Sequence, residues 1–214
     1  MSAAPPDVPA APRTPRGERT AARLRAAART VFAQRGFAAA RVEDVVAAAG
    51  VSHGTFYTYY DNKGAVLEAL IDGTEARLRT VVQAPWEGAD PGRTIETVIA
   101  RFVEVFAADA GVIRAWTEAS AHDADLRRRL RRMRADFVHR VADQIAPALR
   151  GTGHDPAVAA SALVAMVEGY VTRGLTAEGT EGVQDAARRA DEVATLATLW
   201  LGGLRQLTGE RGVG

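Results

Sequence analysis

The chain has 214 residues, 47% of them hydrophobic, 25% charged and none cysteine, so it can bury a substantial core but has neither a disulfide frame nor a thiolate metal site. The formal net charge of +1 hides an asymmetry: residues 13–64 hold nine basic and four acidic side chains, a net of +5, whereas residues 65–214 hold eighteen and twenty-one, a net of −3. The most apolar run, AVAASALVAMV at 157–167, stops at Glu168, short of the roughly 20 residues of a membrane span. The first residues offer no apolar stretch for an export signal, so a cytoplasmic chain without a membrane partner is expected. A basic head on an acidic body points to a polyanion as the head's partner.

Five of the nine prolines fall within the first fifteen residues, which reads as a disordered arm over 1–17. Its Arg13 and Arg16, with Arg19 just beyond, suit a neighbouring minor groove. Helical periodicity begins near Thr20: Leu24, Ala28, Val31 and Phe32 recur at i, i+4, i+7 and i+8, and Gly36 supplies the stop. Val42, Val45, Val46 and Ala49 mark a second, short helix ended by Gly50. Ser52 is placed to cap a third helix that opens at His53. Two short helices joined by a glycine-containing turn form a helix-turn-helix, whose second helix enters the DNA major groove.

The third helix, within VSHGTFYTYYDNKGAVLEAL at 51–70, divides by face. Phe56 and Tyr60, at i and i+4, belong to the core. His53, Gly54, Tyr57, Thr58 and Tyr59 take the other faces, where hydroxyls and an imidazole meet phosphates or base edges. Lys63 follows Asp61 and Asn62, two candidate caps, at the start of the fourth helix, where an ammonium and free N–H groups both suit a phosphate.

These blocks, ARTVFAQRGF, VEDVVAAAGVSHGTFYTYY and DNKGAVLEAL in correct spacing, resemble the tetracycline-repressor (TetR) family of bacterial transcription regulators over about Thr20 to Leu70. The resemblance implies an all-helical dimer with a three-helix DNA-binding domain and a larger helical domain that dimerises and holds a small effector. It places His53, Gly54 and Thr58 towards bases, Tyr57, Tyr59 and Lys63 towards phosphates, and Thr55 in either class, with the cap Ser52 beside them. Three positions depart from the family pattern. Arg41 stands where a threonine is common and suits a phosphate directly. His53 replaces a frequent lysine. Gly64 replaces a common glutamate, which implies a less firmly placed Lys63.

Towards the body, Leu67, Leu70, Ile71, Thr74, Leu78 and Val81 continue the fourth helix, while Asp90-Pro91 and Asp155-Pro156 each read as a cap before a first-turn proline. Phe102 and Phe106, then Val112, Ile113 and Trp116, then Leu126, Leu130, Met133 and Phe137 form three apolar stripes, expected on adjacent helices. Phe102, Phe106, Trp116, Met133 and Phe137 suit a plain core and an apolar pocket equally, and the resemblance tips the reading to an effector pocket. The arginines of LRRRLRRMR at 126–134 read as solvated. The four histidines share no ligand spacing, and Asp123 in HDAD reads as a helix cap, so neither metal nor cofactor is expected.

The last two helices, about 156–176 and 184–207, carry Leu163, Val167, Tyr170 and Val171, and Val193, Leu196, Ala197, Trp200 and Leu204. These are the expected homodimer stripes, joining as a four-helix bundle. The fold class is therefore all-α, divided into an arm (1–17), a helix-turn-helix DNA-binding domain (18–64) and an effector-binding and dimerisation domain (65–210). The function expected is a non-enzymatic transcriptional regulator, a repressor released from a palindromic double-stranded operator by an apolar or amphipathic effector. The alternative is a helical ligand carrier or enzyme whose N-terminal unit only resembles a DNA reader.

Overall fold

The computed structural model describes residues 14–81, 91–177 and 186–209, and all regular structure among them is helical. Thr14 Oγ1 accepts from the Gly17 N–H at 3.2 Å and Pro15 occupies the first turn, so α1 (Pro15–Ala39) starts earlier than the arm expected from composition. Arg16 and Arg19 thus lie on a helix, and residues 1–13 of the expected arm lie outside the described residues. Gly36 leaves the helical region at φ 74° and ψ 171°, a conformation that favours glycine. Then follow α2 (Val42–Ala49), closed by Gly50 at φ 61°, α3 (His53–Tyr59), capped by Ser52, and α4 (Lys63–Val81), capped by Asn62. The body adds α5 (Pro91–Ser120), α6 (Ala124–Ile145), α7 (Pro156–Ala177) and α8 (Ala186–Thr208). Both Asp123 and Asp155 act as caps: Asp123 Oδ1 accepts from Asp125 and Leu126, and Asp155 Oδ1 from Ala157.

The chain forms two compact units. The first comprises the residues up to Gly73 together with Gly111–Arg127, and the second Thr74–Ala110 with Arg128 onward. The first unit is larger than the 18–64 expected, because a segment some forty residues beyond Gly73 joins it, a long-range association invisible to periodicity. Its core is built from Leu24, Ala28, Val31 and Phe32 of α1, Val45 of α2, Phe56 of α3, and Val66 and Leu67 of α4. The stretch 111–127 adds Val112, Ala115 and Trp116 to it.

In the second unit Phe102 stacks on Phe106 at 4.4 Å between ring centroids and meets Phe137 at 5.2 Å. Asp109, 1% exposed, would be costly alone. Thr74 Oγ1 donates to it at 2.9 Å and Arg77 pairs with it, which supplies the missing charge and donors. Val167, Val171, Val193, Leu196, Ala197 and Trp200 are all buried within the single chain. Most of the two stripes expected at a dimer contact are therefore core, since a stripe at helical spacing packs first on its own body. Of the expected stripes Tyr170 is exposed and Leu163 and Leu204 are half-buried, and other exposed positions are Val158, Ala162 and Ala165 on α7, and Thr195, Leu199 and Gly202 on α8.

Candidate nucleic-acid interface and apolar cavity

Helix α3 has seven residues, too few to persist alone, and three devices fix it. Ser52 Oγ accepts from the Thr55 N–H at 3.1 Å and contacts the Thr55 hydroxyl at 2.9 Å. The turn before it is held by Gly50 and by Arg23, whose Nη2 donates to Ala49 O at 2.6 Å. Phe56, fully buried, and Tyr60 pin the inner face, and Arg25 donates to the Tyr60 hydroxyl at 3.3 Å. What remains outward is Ser52, His53, Gly54, Tyr57 and Thr58, with Thr55 and Tyr59 half-buried and Tyr57 54% exposed despite its size. Thr58 donates its hydroxyl hydrogen to Gly54 O at 2.9 Å, so outward it presents an acceptor oxygen and a methyl group. Arg41 is exposed at the start of α2, where Asp44 Oδ2 accepts from its backbone N–H at 3.0 Å.

Lys63 departs from the expectation of a phosphate contact. Its Nζ donates to Phe37 O at 2.8 Å, Ala38 O at 3.0 Å and Ala40 O at 2.9 Å, and lies 4.7 Å from the centre of the Phe37 ring. An ammonium has three donors, and all three are committed. Nor does Gly64 loosen it: a Cβ there would lie 2.8 Å from the Asn62 Oδ1 that caps α4, so glycine makes room for the cap. Residues with no local sequence signal complete this region. Glu118 accepts from the N–H groups of Phe37 and Ala38 at 2.7 and 3.0 Å, and Arg114 donates to Phe32 O and Ala33 O.

In the second unit a narrow, wholly apolar cavity lies between Ile95, Val98, Ile99 and Phe102 of α5, Phe137 and Val141 of α6, Val164 and Val167 of α7, and Trp200 of α8. Its free volume is about 30 Å³, so an organic ligand must displace the walls. Of the five residues expected to line a pocket, Phe102 and Phe137 do so, and Phe106 stands behind Phe102. Met133 is half-buried and not part of the lining. Trp116 is absent from it as well: it follows Phe102 by fourteen residues on the same helix, about 21 Å of rise, and is buried in the first unit with Nε1 donating to Leu126 O at 3.2 Å. The first two of the three stripes expected on adjacent helices thus run along one continuous α5, and the third lies on α6. Trp200, assigned to the dimer contact from sequence, takes the place at the wall.

On the helices that form this wall, Arg134 Nη2 lies 2.9 Å from Glu168 Oε2. That oxygen is buried without a well-aligned donor, so the contact is coulombic more than a directed hydrogen bond. Burial raises the Glu168 carboxyl above its ordinary value, and Arg134 opposes the rise. Arg127 and Arg129 of the same arginine-rich run also have partners, in the Ser120 and Ala121 carbonyls and in Glu75, so these three are not simply solvated. Among the described residues no group of His, Cys, Asp and Glu could hold a metal ion, and no helix is long and apolar enough to cross a membrane.

Comparison with known proteins places both units. Residues 24–70 match the model described as bacterial regulatory proteins, tetR family, and residues 101–199 match that of the BetI-type transcriptional repressor, C-terminal. The HTH-type transcriptional regulator EthR of Mycolicibacterium smegmatis is 36% identical over 100 residues, 46% of each chain. The HTH-type transcriptional repressor KstR2 of Rhodococcus jostii is 28% identical over 99 residues, 44% of this chain and 47% of that one. The matched stretch thus spans about half the length of these curated relatives. In fold, the fatty acid degradation regulator FadR from Bacillus halodurans superposes with a TM-score of 0.70 at 20% identity, over 91% of this chain and 98% of that one.

Proposed function

Because this chain belongs to the tetR family of bacterial regulatory proteins, we propose that it is a non-enzymatic transcriptional repressor, acting as a homodimer on a palindromic DNA operator and released by an apolar or amphipathic small molecule. The observation that carries the DNA reading is the division of α3, with Phe56 and Tyr60 anchored and polar or aromatic side chains turned outward on the basic head. On this reading His53, Gly54 and Thr58 face base edges, Tyr57, Tyr59 and Arg41 face phosphates, and Ser52 and Thr55 border them. The exposed faces of α7 and α8, with Val158, Leu199 and the open Gly202, are the surfaces we assign to the partner copy. A dimer of this kind reads half-sites about 34 to 36 Å apart. The cavity walled by Phe102, Phe137 and Trp200 is the effector site, and its lack of polar lining favours an apolar ligand body.

The test is selection of a duplex from a random-sequence library with the full-length chain, followed by fluorescence anisotropy across a salt series. A selected palindrome bound at least a thousandfold tighter than random duplex, with a steep salt dependence, is the expected result. Equal weak binding to both duplexes would leave the ligand-carrier reading in its place.

A further inference from the structure

We infer that the turn joining α1 to α2 is clamped between a cation and an anion, and that Lys63, Glu118 and Arg114 are positioning residues that set α2 and α3 for DNA instead of touching it. This rests on the reading of α3 as the DNA-reading helix. The need for a clamp follows from Gly36. At φ 74° and ψ 171° it breaks the regular hydrogen bonding of α1 and leaves peptide groups on both sides without helical partners. Every one of those named below is met by a charged side chain.

The peptide unit between Phe37 and Ala38 is bracketed at both ends. Its carbonyl accepts from Lys63 Nζ at 2.8 Å and its N–H donates to Glu118 Oε1 at 3.0 Å. Glu118 Oε2 takes the Phe37 N–H at 2.7 Å, and Lys63 also holds Ala38 O and Ala40 O. A peptide dipole with its oxygen towards an ammonium and its hydrogen towards a carboxylate is polarised in the favourable sense by both, so the two charges reinforce each other through it. Arg114 adds contacts to the Phe32 and Ala33 carbonyls, in the last turn before the break. Gly111, Arg114 and Glu118 sit at i, i+3 and i+7, one face of α5. A Cβ at Gly111 would fall 2.6 Å from the Ala33 Cβ, so at that point the backbone of α5 lies directly against α1. Gly36 leaves room as well: a Cβ there would lie 3.1 Å from Glu118 Oε2.

From the clamp the chain runs into Arg41 and α2, whose far end is tied to α1 by Arg23, and α3 follows across Gly50. The helix-turn-helix is thus fixed at its entrance by the clamp and at its turn by Arg23. Loosening the entrance alters the presentation of α3 without removing any group from the DNA face.

The test uses the full-length chain, a duplex selected from a random library by the wild type, and a random-sequence duplex of equal length, in anisotropy titrations over a sodium chloride series. Lys63→Met is expected to weaken the selected duplex about ten- to a hundredfold, the size of one lost charge-assisted hydrogen bond, with an unchanged salt slope. A slope lowered by about one, with equal losses on both duplexes, would mark Lys63 as a phosphate contact and overturn the inference. Glu118→Gln gives a test of opposite sign. Removing a negative charge should strengthen DNA binding if only the field matters, whereas the clamp requires weakening, together with faster hydrogen exchange at the Phe37 and Ala38 amides. Stronger binding, or exchange at the wild-type rate, sinks the clamp. The two losses should not multiply in the double variant, because both side chains hold one peptide unit; full multiplication counts against it. If the wild type binds no duplex at low salt, the DNA reading and the positioning role fall together. If it binds and the variants match it, only the positioning role falls.

Discussion

Phe102 offers the sharpest test of the cavity, because it is both a packed core residue and part of the wall. It is 6% exposed, stacks on Phe106 at 4.4 Å and meets Phe137 at 5.2 Å. Burial of an aromatic side chain removes about 150 to 250 Å² from water, which at about 25 cal/mol per Å² corresponds to roughly 4 to 6 kcal/mol before any collapse of the site. The two ring pairs add about 0.5 to 1.5 kcal/mol each, and partial relaxation of the walls recovers some of the total. Phe102→Ala should therefore destabilise the chain by about 3 to 5 kcal/mol. Urea unfolding followed by far-ultraviolet circular dichroism measures this, with the midpoint expected to fall and the slope to hold. The variant should also gain a void large enough for benzene-sized probes, because an apolar cavity of that kind stays dry and binds them. Saturating benzene should recover part of the lost stability by mass action. A loss below about 1 kcal/mol, or no recovery with the probe, would show that Phe102 does not seal the cavity, and the effector site would have to be sought elsewhere.

Thr58→Ala is expected to cost about 1 to 3 kcal/mol on a selected operator and almost nothing on random duplex; anisotropy on both duplexes checks it, and equal losses would remove Thr58 from the base-reading set. Glu168 has a raised carboxyl pKa, so the folded chain binds the proton more tightly than the unfolded one. Its contribution to stability therefore declines as pH rises from the ordinary carboxylate value through the folded value. Glu168→Gln should flatten the melting temperature between pH 4.5 and 7 relative to wild type; parallel curves would show that the buried oxygen is solvated. Leu199, 56% exposed on α8, should matter to assembly and not to folding: Leu199→Glu is expected to give a monomer by sedimentation velocity with a nearly unchanged melting temperature, and a persistent dimer would move the contact away from this face.

What the sequence determined by itself was local. Gly50, Ser52 and the Phe56–Tyr60 spacing specify the turn, cap and anchored face of α3, because caps and i, i+4 neighbours lie within one or two turns of each other. The caps at Asp123 and Asp155 and the proline starts of α5 and α7 were legible for the same reason. Tertiary structure decided whatever depends on which faces meet. Lys63 has the position of a phosphate ligand in sequence, yet its three donors are spent on carbonyls 23 to 26 residues away. Glu118 and Arg114 reach back about eighty residues to α1. Trp116 lies in the first unit instead of the expected pocket, and Trp200 at the cavity wall instead of the expected dimer contact, since a stripe shows that a side chain is buried but not against what. Spacing along a helix fixes the direction of a side chain relative to its neighbours, whereas its partner is set by packing among segments far apart in the chain, where no periodicity carries information.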